Sequence, residues 1–231
     1  MESHVKVKGL ADYVTQVDTN IQNFLREKLG KLAPEIEFLG EEDGLHAMKG
    51  DTFWILDPID GTTNLVHDYQ HSTVSLGLYS KGEIILGVIY DPFREEMFYA
   101  EKGKGSFVNG RPIHVAKAEN LGQTIIAIGT APYQKELAPQ NFACFQRVFE
   151  KCEDIRRTGS AAMDLAYTAA GRLGGYFEAR LQPWDFAAGM LILTEAGGKI
   201  TRYDGSQVNP VEPGGIVATN GKLHEELRAL L

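Results

Sequence analysis

Residues 53–67 read FWILDPIDGTTNLVH. Phe53 to Leu56 have the composition of a buried strand; they lead into Asp57, and a second carboxylate, Asp60, follows three positions on. Pro58 fixes φ and removes a backbone donor, and Gly61 permits a tight bend. The strand is therefore expected over Phe53 to Leu56, with Asp57 at its exposed end and the two carboxylates converging in the turn. Thr62 or Thr63 suits the cap of a short helix, whose free N–H groups and positive dipole end can hold a phosphate. No lysine or arginine lies in the stretch to neutralise the acids. A solvated Asp-Gly turn is the simplest alternative, but the spacing D-x-x-D-G-T-T is more specific than such a turn requires.

Two other acidic positions stand out. FLGEEDG places Glu41 directly after a β-type run, and QPWDFAAGMLILTEAGG places Asp185 at the start of an apolar helix. Taken singly, Glu41 reads as a surface loop residue and Asp185 as a favourable first-turn anion.

The flanking sequence supplies a frame for these residues. DYVTQVDTNIQNFLREKLGKL carries Val17, Ile21, Phe24, Leu25 and Leu29 at helical spacing behind the capping candidate Thr15, which predicts an amphipathic helix ending near Gly30. Strand-like runs follow at IEFLG, STVSLGLYS, EIILGVIYD and EMFYAEKG, with turn chemistry at SKGE and DPFRE. Residues 1–122 thus read as an α+β half built on an antiparallel meander. From about Gln123, strands alternate with helices over 139–151, 160–172 and 184–196, so residues 123–231 read as an α/β half. No Pro/Gly/Ser linker divides them, which predicts one compact unit of two sheets packed through shared helices rather than independent modules.

At 231 residues, with 43% hydrophobic and 23% charged, the chain can bury roughly 70–75% of its unfolded surface. A net charge of −8 argues against nucleic acid and anionic membrane partners. The opening MESHVKVKG lacks the apolar core of a signal peptide, and no stretch approaches the length of a membrane span; the expectation is a cytoplasmic protein. Cys144 and Cys152 show neither disulfide-rich nor zinc spacing and read as core residues.

Taken together, DPIDGTTN, WDFAAGMLILTEAGG, GEE and DYVTQVD resemble the signature of the inositol monophosphatase family of magnesium-dependent, lithium-sensitive phosphatases, along nearly the whole chain. The resemblance implies a layered αβαβα sandwich, an active site for two or three Mg²⁺ ions between the two halves, a small-molecule phosphate monoester as substrate and a homodimer. Matched motif to motif, Glu41, Asp57, Asp60, Asp185 and the carbonyl of Ile59 fall on metal-ligand positions. Thr62 falls on the residue that orients the attacking water, with Asp18 and Glu41 assisting, and Gly61 and Thr62 fall on the phosphate-binding amides. Gly159, Ser160, Ala161 and Glu178 match the positions that contact the alcohol.

Four carboxylates about 5 Å apart repel by about 3 kcal/mol per pair at an effective dielectric near 20, close to ~20 kcal/mol in all. Cations must balance that charge. All-oxygen ligands suit a hard ion such as Mg²⁺, and His67 and His71 do not stand at ligand spacing. A two-metal site of this kind activates water directly, so no protein nucleophile is required. Arg157 and Arg180 lie near the substrate motifs, where a second anion is one role and salt bridging to the many acidic residues is the expected one. Only 11 residues precede Asp12, so an amphipathic helix usual in the family is expected to be missing, and Lys8 is a weak candidate for a third metal site. Fructose-1,6-bisphosphate, NADP(H) and nucleotide bisphosphates fit the same pocket chemistry, and a regulatory binding protein is the alternative outside catalysis.

Overall fold

The computed structural model describes residues 5–9 and 12–231, with side chains from Gln16 onward. The side chains of Lys8 and Thr15, expected near a metal and at a helix cap, lie outside the described residues. An antiparallel pair, β1 (Val5–Gly9) and β2 (Asp12–Thr15), runs directly into α1 (Gln16–Leu32).

The first large sheet contains β3 (Glu37–Gly40), β4 (Thr52–Asp60), β5 (Thr73–Ser80), β6 (Glu83–Asp91), β7 (Glu96–Glu101), β8 (Ser106–Val108) and β9 (Arg111–Ile113), in chain order. A short helix, α2 (Thr62–Val66), follows β4. β3 and β4 are parallel and the other pairs antiparallel. β8 and β9 were not expected, because three residues are too few to display an alternating pattern.

The second sheet contains β10 (Ile125–Ile128), β11 (Asp154–Arg156), β12 (Gly175–Leu181), β13 (Lys199–Thr201) and β14 (Gly214–Thr219), in the order β11-β10-β12-β14-β13. The first three are parallel, and β14 is antiparallel to both its neighbours. Its helices are α3 (Ala138–Phe149), α4 (Ala161–Ala169), α5 (Pro183–Glu195) and α6 (His224–Arg228).

Side-chain alternation assigns the layers. Phe53, Ile55, Ile89 and Phe98 from the first sheet share one core with Leu165, Phe186 and Ile192 of α4 and α5, and with Tyr176, Ile216 and Ala218 from the second. The intervening residues of the second sheet, Phe177 and Val217, point away and pack with Phe145 and Val148 of α3, Leu227 of α6 and Leu223 just before it. With α1 against β4, the result is an αβαβα sandwich. α5 is apolar on nearly all faces, as a helix enclosed between two sheets must be.

Glycines bring α5 onto the first sheet. A Cβ on Gly87 would lie 2.6 Å from the Ala188 carbonyl oxygen, and one on Gly77 would reach the Ala187 Cβ at 3.5 Å.

Two expectations are corrected. β4 does not stop at Leu56 with Asp57 exposed: it continues to Asp60, and Asp57 is 2% exposed. Pairing of Asp57 with Ser75 and of Asp60 with Thr73, across an irregularity in register, carries the strand through Pro58. In α1, Val17 and Phe24 are exposed (39% and 57%), whereas Asp18 and Gln22 are buried. The inward face is polar because it meets the segment after β4 and the turn after β3: the Thr62 hydroxyl donates to Asp18, and the Glu42 N–H donates to the Gln22 side-chain Oε1.

Gly87→Ala sets a Cβ against rigid backbone and is expected to destabilise by about 1–3 kcal/mol. Gly30→Ala, with open space around the added Cβ, should instead stabilise by up to about 1 kcal/mol. Thermal melting of both variants checks the close crossing of α5; equal effects would refute it.

Candidate metal centre and its cleft

Asp57 and Asp60 end β4, and Asp185 stands in the first turn of α5. One carboxylate oxygen from each lies within 4.8 Å of the other two. Each acid also accepts a backbone N–H. Ile59 donates to Asp57 at 2.9 Å, Ala162 to Asp60 at 2.8 Å and Gln182 to Asp185 at 2.7 Å. The Ser160 hydroxyl caps α4 and donates to Asp60, tying the second half of the chain to the end of β4. Gln182 and Asp185 form a reciprocal cap at the start of α5, and the Ser75 hydroxyl donates to the Trp184 carbonyl at 3.2 Å.

Burial raises the pKa of all three acids. For Asp57 the charges of Glu41, Asp60 and Asp185 add to desolvation and push it well above the usual carboxylate range. Asp60 is pushed up to about 6, with bonds from Ser160 and Ala162 opposing desolvation. Asp185 is raised well above its ordinary value by desolvation and then by Asp60. Glu41 opens a 3-10 turn, Glu41–Asp43, and is half-buried rather than a free surface residue. It stands outside the set of three but close enough to share a hydrogen bond with Asp57.

Gly61, in the left-handed region at φ 90°, starts α2. The Thr62 hydroxyl lies 3.0 Å from the Ile59 carbonyl and 3.2 Å from Asp18; its single proton serves one acceptor at a time. Opposite, the chain bends at Gly159 (φ 93°), Ser160 and Ala161. Asn64 stitches the two sides, donating to the carbonyls of His71 (2.7 Å) and Thr158 (2.9 Å).

The Glu178 carboxylate is already engaged: one oxygen accepts from the Ala131 N–H at 2.8 Å and the other from the Tyr176 hydroxyl at 2.6 Å. Only glycine fits at Gly129, where a Cβ would lie 2.0 Å from Glu178. Asp164 is buried beneath, with one oxygen accepting from Thr158 at 2.8 Å and the other without a partner; desolvation raises its pKa well above normal. Sequence reasoning missed Asn64, Gly129, Asp164 and Tyr176. Asp164 had a signal, an acid within an otherwise apolar helix; the others did not. Arg157 and Arg180 are also corrected. Both line the cleft, and neither forms an ion pair among the described residues. The expected acidic partners are turned to the floor of the cleft or to its hydrogen-bond donors.

The triad's donor set, three oxygen ligands without histidine or cysteine, fits a hard divalent cation. The cleft around it encloses about 700 Å³ and takes lining residues from both halves of the chain. The profile of the inositol monophosphatase family matches residues 1–231. The chain belongs to the inositol monophosphatase family. Relatives include an inositol-1-monophosphatase of Rhizobium meliloti, 39% identical over 228 residues (98% of this chain, 85% of the relative). The Nus factor SuhB of Salmonella typhimurium strain LT2 is 40% identical over 223 residues (96% and 83%). Among solved structures, the extragenic suppressor protein suhB of Bartonella henselae superposes with a TM-score of 0.92 at 36% identity, covering 99% of this chain and 88% of that one. An IMPase/NADP phosphatase complexed with Mg²⁺ and phosphate gives 0.91 at 27% identity, covering 100% and 87%. No helix among the described residues is long and apolar enough to cross a membrane.

Because folding raises the Asp pKa values, the folded state without a cation retains protons that the unfolded chain releases above about 3.9. That stabilisation is complete below the unfolded value and is lost as pH rises through about 6 for Asp60. His224, pushed down to about 4 by burial, works in the opposite direction below about pH 6.5, so the informative quantity is a difference between proteins. Asp57→Asn in chelator should melt above the parent, with a gap that widens from pH 5 to 8, up to about 3 kcal/mol per repelling pair removed. A gap that closes as pH rises would contradict this electrostatic account.

Proposed function

We propose that the protein is a Mg²⁺-dependent phosphomonoesterase that hydrolyses inositol monophosphate or a related sugar phosphate. The convergence of Asp57, Asp60 and Asp185 in a cleft between two halves carries the reading. Glu41 and the Ile59 carbonyl complete the proposed ligand set for two or three ions. When bound, Mg²⁺ supplies positive charge that neutralises the ester phosphate and makes water acidic enough to attack at neutral pH.

The chain's own groups supply orientation. With its proton given to Asp18, the Thr62 oxygen turns its lone pairs outward and can accept from the attacking water; Glu41 and Asp18 are the acids in reach of that exchange. The amides of Gly61 and Thr62, at the start of α2, are the proposed donors to phosphate oxygens. Gly159, Ser160, Ala161 and Glu178 form the wall that meets the alcohol. Since both Glu178 oxygens already hold donors, this carboxylate also positions the loop at Ala131. The neighbouring family structure with Mg²⁺ and phosphate supports the choice of ion and ligand.

A second reading, a binding protein in place of an enzyme, is favoured by the Nus factor name of a 40% identical relative. The retained acidic triad speaks for catalysis.

Phosphate release from myo-inositol 1-phosphate should require Mg²⁺ and be inhibited by lithium. Asp57→Asn should lower turnover by roughly 100-fold or more, since even residues that only support a metal ligand cost 10–100-fold. The same variant should lose most of the Mg²⁺-dependent rise in melting temperature seen in the parent. Near-parental activity together with an unchanged Mg²⁺ effect would place the ion elsewhere; a folded parent that releases no phosphate from any sugar phosphate would favour the binding reading.

Glu178→Gln should cost about 1–3 kcal/mol in transition-state binding of a polyol phosphate, the scale of a hydrogen bond to a charged group. An aryl phosphate should lose far less. Equal losses in kcat/KM would restrict Glu178 to holding its loop.

A further inference from the structure

The outward side of the first sheet is apolar well beyond the part that α1 covers. Leu56, Leu76, Val88, Tyr99 and Phe107 stand opposite one another in register across β4 to β8. Their chain neighbours Ile55, Ile89 and Phe98 belong to the inner core, so alternation turns this row outward. On β4, against which α1 packs, Leu56 is fully buried and Trp54 is 8% exposed. On the strands that follow, Leu76, Leu78, Leu86, Val88 and Tyr99 are only half-buried, and Tyr90 and Met97 are 38% and 43% exposed. A cavity of about 370 Å³ opens there, lined by Leu78, Ile85 and Leu86 with Glu101 and Lys102. Contiguous apolar surface of this kind marks interaction sites more often than it stays bare.

The flank of α1 supplies a wall beside this trough. Arg26 leans toward β3, lying over the Phe38 ring and pairing with Asp43 in the turn that follows. At about 100° per residue, Val17, Ile21 and Phe24 stand roughly 140–180° around the helix from Arg26, so they face the other way, over the uncovered strands. Val17 and Phe24 are exposed and Ile21 is half-buried. One face of the molecule therefore carries a ridge with an apolar flank next to an apolar trough of similar length. α1 has 17 residues, about 25 Å, and β5 has 8, about 27 Å. Such a face is complementary to itself. Turned about a two-fold axis, the ridge of one copy enters the trough of the other, and both contacts form at once.

We propose that this face binds a second copy of the chain, with Val17 and Phe24 of each α1 entering the trough over β5 to β8 of the other. The extent of the face suits that partner. Four strands spaced about 4.8 Å apart make a floor of about 500 Å², and the flank of α1 brings the total to about 700 Å² in flat projection. A standard stable interface takes about 800 Å² from each partner. Charge also favours an identical partner over a charged one. Lys31 pairs with Glu27, Lys102 with Glu83 and Lys104 with Glu101, so most charge bordering the face is neutralised within the chain. Two copies can then approach despite a net charge of −8 each, whereas an acidic or basic helix finds little field to complement. The Lys28 ammonium, 5.4 Å from the Phe24 ring centre, can stay in water while its stem lies along the buried ring. The proposal does not depend on the phosphatase reading.

Sedimentation equilibrium at about 10 μM tests this, since interfaces of such size dissociate at about 1 μM or below. Phe24→Glu, at an exposed position, should halve the mass of the parent assembly while the variant still melts cooperatively. Val88→Lys, in the trough, should halve it as well; the more exposed Tyr90→Lys takes its place if Val88→Lys does not melt cooperatively. An equimolar mixture of the ridge and trough variants should recover the parental mass, because one contact is intact and the other sets Glu against Lys. Only folded chains can do this. A parent of single-chain mass overturns the proposal and leaves the trough to a helix of a different polypeptide. A parental mass that Phe24→Glu leaves unchanged assigns any self-association to another face. A mixture no heavier than its separate components shows that ridge and trough do not meet, and overturns the proposal too.

Discussion

The repulsion among Asp57, Asp60 and Asp185 is the constraint around which the fold is arranged. Three carboxylates within 4.8 Å of one another cannot all be charged in a buried site without compensation. The chain supplies part of it through the backbone. Each acid accepts an N–H from a residue near a bend or a helix start: Ile59 in β4, Ala162 in α4 and Gln182 before α5. These bonds favour the charged forms while desolvation opposes them, and desolvation wins at all three positions. A divalent cation held by the three acids would reverse that balance, since its charge would offset the repulsion that weakens the cation-free fold.

Delivering Asp185 to the end of β4 is a packing problem. It belongs to a helix more than a hundred residues downstream, and that helix must lie almost in contact with the first sheet. Gly77 and Gly87 make room on the sheet, while Ala187 and Ala188 keep the facing side of α5 small. Gly189 does the same toward α4, where a Cβ would lie 2.6 Å from the Leu165 Cβ. The Ser75 to Trp184 bond then fixes the helix along its axis. Small residues in the middle layer thus determine the separation of the acids at its end.

The cleft also divides its charge. Acids that face inward meet amides, hydroxyls or one another, and Glu178 spends both oxygens on the loop at Ala131 and on Tyr176. Lys135, Arg157 and Arg180 are exposed, at or beyond the C-terminal ends of the parallel strands. An anion entering such a cleft meets positive charge at the rim, and only a cation at the floor allows it to go deeper.

Local chemistry made much of this legible in the sequence. The strand before Asp57, the tight bend at Gly61, the helical segments after Gln123 and the acidic first turn of α5 all follow from residues within a few positions of one another. That these acids converge was legible only through the resemblance of the motifs, since spacing in the chain does not measure distance across a sandwich. What only the tertiary structure decided depends on contacts between distant segments. Asp18 and Gln22 turn inward in place of Val17 and Phe24 because α1 faces a polar strand end. β4 runs through Pro58 because β5 pairs with it on both sides of the irregularity. Arg157 and Arg180 remain without carboxylates because strand order carries them to the rim while the acids turn to the floor. Hydrophobic period and turn residues encode local geometry; partners more than a hundred residues apart are chosen by packing, which no short stretch contains.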